Sequence, residues 1–319
     1  MKDQEKRQII RTLCEKKEHW EPPVLPAQIP HGDMPGDKVQ ISEEHIQKAQ
    51  RIFPQLCGLL GEQCAQNPYG RAVVTVCGGS GVGKSEIASL LSFYLCASGV
   101  GAYTLSGDNY PRRIPRQNDA ERQCVFRTGG LQGLIASGLY ARECADVLGT
   151  LWREDEDSAT AHTEQYPWLR VYQAEGRKAL AGYLGTPKEQ DFETLSTIVS
   201  QFKNGADAIW LKRMGRTEEE LWYERKAFAG VSVLLIEWTH GASDYYRGVD
   251  IPILLNSTPQ ETAEHRRQRG RDGKVDSPFT TMVLELEQRL LESQAHKAKL
   301  IVSKNGALLS YEEYRALMA

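Results

Sequence analysis

The 319-residue chain has no CxxC pair, and its seven cysteines, all between Cys14 and Cys144, are odd in number. That excludes a complete disulfide framework and a paired-cysteine metal site, and it predicts reduced thiols in a cytoplasmic setting. Long hydrophobic runs are also missing. The opening MKDQEKRQIIRTL carries charges rather than a signal-like apolar core, and stretches such as Val231 to Ile236 are far too short to span a bilayer. No membrane partner and no export are expected. An excess of one charge is absent too: 39 Lys and Arg against 42 Asp and Glu give a net charge of −3. Nothing in the whole-molecule field attracts nucleic acid or acidic lipid, so no nucleic-acid partner is expected and any anion site must be local. There is no fixed-period repeat, and the acidic run at 154 to 157 reads as a solvated turn.

What is present is enough apolar material, 40% of residues, for one large core or two modest ones. Residues 1–68 form an N-terminal extension: a charged amphipathic segment, the proline-rich stretch EPPVLPAQIPHGDMPG, and a helical pattern opening at Ser42 as N-cap, with Ile46, Ala49, Phe53 and Leu56 on one stripe. That stripe is expected to pack on the main domain; whether the extension caps a pocket or builds a homodimer stays open. From 69 to 319, short apolar runs at 72 to 77, 102 to 105, 231 to 237, 253 to 255 and 300 to 302 read as buried parallel strands. Helical patterns lie at about 84 to 98, 118 to 148, 168 to 183, 190 to 203, 258 to 269 and 278 to 297. The alternation predicts an α/β fold with helices on both faces of a mainly parallel sheet.

One motif carries chemistry by itself. Gly78, Gly79, Ser80, Gly81, Val82, Gly83, Lys84 and Ser85 match GxxxxGK[ST], preceded by the strand VVTVC and followed by a helical pattern that starts with Glu86. The glycines let backbone N–H groups converge on phosphate oxygens at a helix N-terminus. Lys84 adds a cation for the transferring phosphates, and Ser85 offers a hydroxyl to Mg2+. The fold class is therefore a P-loop NTPase three-layer sandwich with a mainly parallel sheet, and ATP and Mg2+ are the expected cofactors.

A P-loop alone serves kinases, switches and motors, so the downstream segments have to discriminate. SGDNYPRRIPRQND places Asp108 just past a strand's carboxyl end, where it can accept a substrate proton or orient Mg2+, or be an ordinary Asp–Asn turn. VSVLLIEWTH ends an apolar strand in Glu237, a candidate metal-side carboxylate. HRRQRGRD packs Arg266, Arg267, Arg269 and Arg271 into a short span, suited to a mobile arginine lid near 265 to 280 or to a solvated basic face. No NKxD-like guanine reader follows.

On these segments, together with the terminal VSKNG, the chain resembles the uridine kinase, phosphoribulokinase and pantothenate kinase group of P-loop small-molecule kinases over roughly residues 70 to 306. GTPKEQDFETL and DAIWLKRMGRTEEE resemble that group's helix start and substrate-binding hairpin. The resemblance implies a γ-phosphate transfer from ATP to a small-molecule hydroxyl acceptor. It assigns Asp108 as base, Lys84, Arg269 and Arg271 to the transferred charge, and Ser85, Asp108 and Glu237 to the metal. It also implies substrate contacts from Tyr110, Arg112, Arg113, Arg116, Lys212 and Arg216.

The chain departs from the group's pattern at Trp238, where a glycine is usual and a bulkier pocket wall is expected. It departs again at Ile209 and Met214, which stand where pyrimidine-nucleoside kinases carry Tyr and His, and at Gly185, which falls near the acidic position of their helix start. Uridine is disfavoured. Arg112, Arg113 and Arg116 make an anionic acceptor, such as a sugar phosphate, a reasonable expectation, with a nucleotide contact or a solvated loop as the alternative. A regulatory NTPase and a catalytically silent nucleotide-binding module remain the rival classes.

Overall fold

The computed structural model describes residues 3–36, 39–258, 260–264 and 277–318. The expected lid arginines Arg269 and Arg271 lie outside them. The chain divides into two compact units, the first comprising 1–110, 191–258 and 291–319, the second 111–190 and 259–290. No helix among the described residues is long and apolar enough to cross a membrane.

The first unit holds α1 (Asp3–Glu15), α2 (Glu43–Gln66), β1 (Ala72–Gly78), α3 (Lys84–Ala97) and β2 (Ala102–Ser106). It continues, after the second unit's helices, with α7 (Phe192–Lys203), β3 (Ala208–Met214), β4 (Leu221–Ala227), β5 (Val233–Glu237), β6 (Ile251–Leu255), β7 (Leu300–Val302), β8 (Leu308–Leu309) and α9 (Tyr311–Met318). Six strands form one sheet in the order β2-β5-β1-β6-β7-β8, parallel except for the short β8 pairing, while β3 and β4 make a separate antiparallel hairpin. The side-chain period of two sorts residues to the two faces. Val74, Val76, Val233 and Leu235 join one core with α2 and α3; Val73, Leu234 and Ile236 join the other with Phe192, Leu195 and Phe202 of α7 and Ile209 and Leu211 of β3. Both sheet faces are covered, which is why these strands are apolar throughout.

The N-terminal extension belongs to this unit. Ser42 caps α2 with a reciprocal capping box to His45, and Ala49, Ile52, Phe53 and Leu56 are fully buried beside Leu90, Leu91 and Tyr94 of α3. Trp20, just before the proline-rich stretch, packs at an angle against Phe53 and edge-on against Tyr94 at centroid distances of 4.4 and 5.1 Å. The extension thus supplies part of the main core.

The second unit is helical: α4 (Pro115–Ala136), α5 (Arg142–Glu154), α6 (Leu169–Ala181) and most of α8 (Pro278–Gln294). Phe126, Leu134, Leu148, Leu151, Tyr172, Val283 and Leu286 fill its core. The sequence pattern at 118 to 148 reads as one helix, whereas the structure has two. Gly138, at φ +70, receives the chain in a left-handed turn just past α4, with the Leu139 amide donating back to the Leu134 carbonyl at 2.9 Å. Glu189 is wholly buried here and pairs with Arg122 at 2.6 Å.

Candidate active site

Strand register creates the site. Glu237, the last residue of β5, is level with Val76 of β1 on one side and with Ser106, the last residue of β2, on the other. The segments that leave these three carboxyl ends are the phosphate loop, the Asp108 turn and the Trp238 turn. Ligands of open parallel sheets bind at this end.

The loop from Gly78 to Ser85 delivers the chain into α3 through Gly83, its N-cap at φ +92. A Cβ at Gly83 would lie 2.7 Å from Nε2 of His45, so α2's first turn closes one side of the loop and leaves room for glycine only. The amides of α3's first turn have no partners within the helix and sum with its dipole, an anion-binding arrangement. Lys84 folds back over the loop, its Nζ donating to the Gly79 carbonyl at 2.9 Å. The chain is a P-loop α/β protein.

Ser85 Oγ donates to Glu237 Oε2 at 3.1 Å, and Ser106 Oγ donates to Glu237 Oε1 at 2.5 Å. Glu237 is 3% exposed, and burial, reinforced by the negative charge of Asp108, pushes its carboxyl up to about 8 against the pull of Lys84 and the two hydroxyls. Asp108 itself is solvent-exposed on the short turn Gly107–Asn109. The sequence-predicted Lys84, Ser85, Asp108 and Glu237 are therefore brought to one place, and Glu86, next along α3, is buried. Their oxygen donors, two carboxylates and a hydroxyl, suit a hard cation, and a cation is what would relieve the raised Glu237 carboxyl.

The remaining expectations fare differently. Trp238 does not form an open pocket wall. It is 1% exposed, packed among Phe192, His240 and Tyr246, and it fills the space beneath Gly107, where a Cβ would meet its Cγ at 2.1 Å. Tyr110 is likewise inside the core of the first unit. Lys212 is buried on β3 and Arg216 is exposed beyond it. In the second unit, Arg112 Nε donates to the Pro187 carbonyl at 2.5 Å. Arg113 donates to Tyr183 Oη at 3.2 Å and pairs with Glu121 at 3.4 Å. Arg116 is exposed.

Sequence reasoning misses Asp33 and Arg213. Asp33 sits in the proline-rich stretch, its side chain 9% exposed, and pairs at 2.9 Å with Arg213, which is 4% exposed. Burial raises the Asp33 carboxyl while Arg213 opposes it. Both residues line a cleft of about 700 Å3 together with Phe93, Tyr103, Trp222 and Glu224. No local pattern marks Asp33, whose partners begin 70 residues further along the chain.

No family model matches the chain. Over 274 residues it is 37% identical to the bifunctional alpha-galactosidase/sucrose kinase AgaSK of Mediterraneibacter gnavus, an alignment that takes in 86% of this chain and 24% of that protein. The chain thus spans about a quarter of the length of this curated relative. Among solved structures, a possible uridine kinase from Bacillus stearothermophilus is 16% identical, covering 77% of this chain and 98% of its own, with a TM-score of 0.40. Phosphoribulokinase from Rhodobacter spheroides is 13% identical, covering 73% of this chain and 70% of its own, with a TM-score of 0.43.

Proposed function

We propose that this chain is an ATP-dependent sugar kinase that transfers the γ-phosphate to a hydroxyl of a neutral sugar of the sucrose type. The observation that carries the kinase reading is the convergence of Lys84, Ser85, Asp108 and Glu237 at the carboxyl ends of three adjacent strands. The sugar class follows the curated relative, of whose two printed activities only the kinase calls for a phosphate loop.

In this reading the amides from Gly79 to Ser85 hold the triphosphate, and Lys84 exchanges the Gly79 carbonyl for phosphate oxygens. Ser85 and Glu237 are the groups that would hold Mg2+, which supplies charge neutralisation at the phosphates. Asp108, facing solvent, accepts the proton of the sugar hydroxyl as its oxygen bonds to the γ-phosphorus and the bond to ADP breaks. Arg269 and Arg271 remain the proposed lid cations. The acceptor is read as uncharged chiefly on the sucrose kinase named in the curated relative, and in accord with it Arg113 is engaged with Tyr183 and Glu121 of its own unit. A cytoplasmic location, where ATP is available, accords with seven free thiols.

The test is coupled ADP detection with Mg2+ and ATP against sucrose, other neutral sugars, sugar phosphates and uridine. Release that depends on a neutral sugar is expected. Release that depends on a sugar phosphate would restore the anionic-acceptor reading; release indifferent to any acceptor would replace the kinase with an NTPase.

A further inference from the structure

The loop between α1 and α2 reaches the reaction site. Asp33 Oδ1 accepts from the Ser106 amide at 2.7 Å and from Asn109 Nδ2 at 3.0 Å. These two residues bracket Asp108. Asp33 Oδ2 accepts from Tyr103 Oη at 2.9 Å and forms an ion pair with Arg213 at 2.9 Å. Arg213 belongs to β3, donates to Tyr103 Oη at 2.9 Å and pairs with Glu224 of β4 at 3.4 Å. Asn109 closes the circuit, its Oδ1 accepting from the Met214 amide at 3.0 Å. The neighbouring Gly32 lies against the site itself, since a Cβ there would be 3.9 Å from Glu237 Oε1 and 3.5 Å from Thr104 Cγ2.

Stability alone is a poor reason for this arrangement. A buried ion pair returns little net free energy relative to apolar residues of the same volume. What it does supply is geometry: three hydrogen bonds and an ion pair from one side chain join the Asp108 turn, β2 and the hairpin. We propose that Asp33 is a positioning residue for phosphoryl transfer, tying the turn that presents Asp108 to the β3–β4 hairpin so that both keep one register beside Glu237. The inference deepens the sugar-kinase reading and rests on it.

Asp33→Asn and Asp33→Ala test it, measured well below each variant's Tm. Asp33→Asn keeps an oxygen for the Ser106 amide and turns a donor toward Arg213; Asp33→Ala removes every bond. Misplaced reacting groups lose rate steeply, so kcat should fall about tenfold in Asp33→Asn and about a hundredfold in Asp33→Ala, with the Kd for Mg-ATP changed by less than about threefold. Adding Arg213→Gln to Asp33→Asn removes the cation whose remaining carboxylate partner is the half-exposed Glu224 and should recover part of kcat. Amide hydrogen exchange at 106 to 109 should quicken in both single variants. Wild-type kcat in Asp33→Asn and Asp33→Ala, or a fall in kcat matched by lost nucleotide binding, would overturn the proposal. If the wild-type protein phosphorylates no sugar, the functional reading fails instead, and unchanged exchange at 106 to 109 would still refute the positioning role.

Discussion

Glu237 in the P-loop unit and Glu189 in the helical unit are both buried, at 3% and 0% exposure, yet their surroundings are opposite. Glu189 accepts from Arg122 at 2.6 Å, from the Gly185 amide at 2.7 Å and from Asn118 at 3.1 Å, and Arg122 also pairs with Glu287 at 3.3 Å. The two carboxylates hold Arg122 firmly charged. Glu237 accepts from two hydroxyls and feels both the Asp108 carboxylate, which repels it, and the Lys84 ammonium, which attracts it without outweighing burial. A buried acid with a cation and a full set of donors is a fastening. A buried acid that desolvation and a neighbouring carboxylate push toward its protonated form carries a charge that depends on what approaches it.

Substitutions that remove each charge separate the two roles. The largest effect is expected at the site: Asp108→Asn should lower kcat by about 10²- to 10⁴-fold with Tm unchanged, measured by coupled ADP release. Near-normal kcat would remove the base assignment. Glu189→Gln leaves Arg122 with Glu287 as its remaining close carboxylate and should cost about 1–3 kcal/mol in urea unfolding, while kcat of the folded fraction stays close to wild type. A rate loss without a stability loss would reverse the comparison.

A smaller effect separates the two acids by pH. Glu237 has a folded-state pKa near 8, above its ordinary 4.5, so the folded protein holds an extra proton between these values. Its contribution to stability is complete below pH 4.5 and is lost as pH rises toward 8. Thermal unfolding of nucleotide-free protein should show this decline, and Glu237→Gln should flatten it. Magnesium and ATP should draw the same proton off, visible as a buffer-dependent heat of binding. The smallest effect concerns Arg113→Ala, which should shift the sugar KM by less than about threefold because this arginine is engaged with Tyr183 and Glu121. A tenfold or larger rise, taking about 1.4 kcal/mol as tenfold, would bring back a charged acceptor.

One side of this contrast is legible in short stretches of the chain. GGSGVGKS identifies itself because every requirement of a phosphate cradle is local: glycines, a preceding strand and a following helix within one short span. The strand ending in Glu237 and the cap at Ser42 are local in the same sense. Trp238 illustrates the opposite case. Its place after Glu237 suggests a pocket wall, but only its packing on Phe192 and Tyr246 shows it to be core beneath the Asp108 turn. Arg112 and Arg113 form a basic cluster in sequence, and the Pro187 carbonyl, Tyr183 and Glu121 that they contact become neighbours only on folding.

The sequence by itself determined the P-loop, the alternation that builds a two-sided sheet and the identity of the acids at its carboxyl edge, because periodicity and backbone chemistry act over a few residues. Tertiary structure alone decided that Asp33, in a proline-rich stretch with no pattern, meets Ser106, Asn109 and Arg213, and that one buried glutamate is paired with an arginine while the other is pushed toward its protonated form. The physical reason is that desolvation and charge pairing depend on which distant groups surround a carboxylate, and that is settled only when the chain closes on itself.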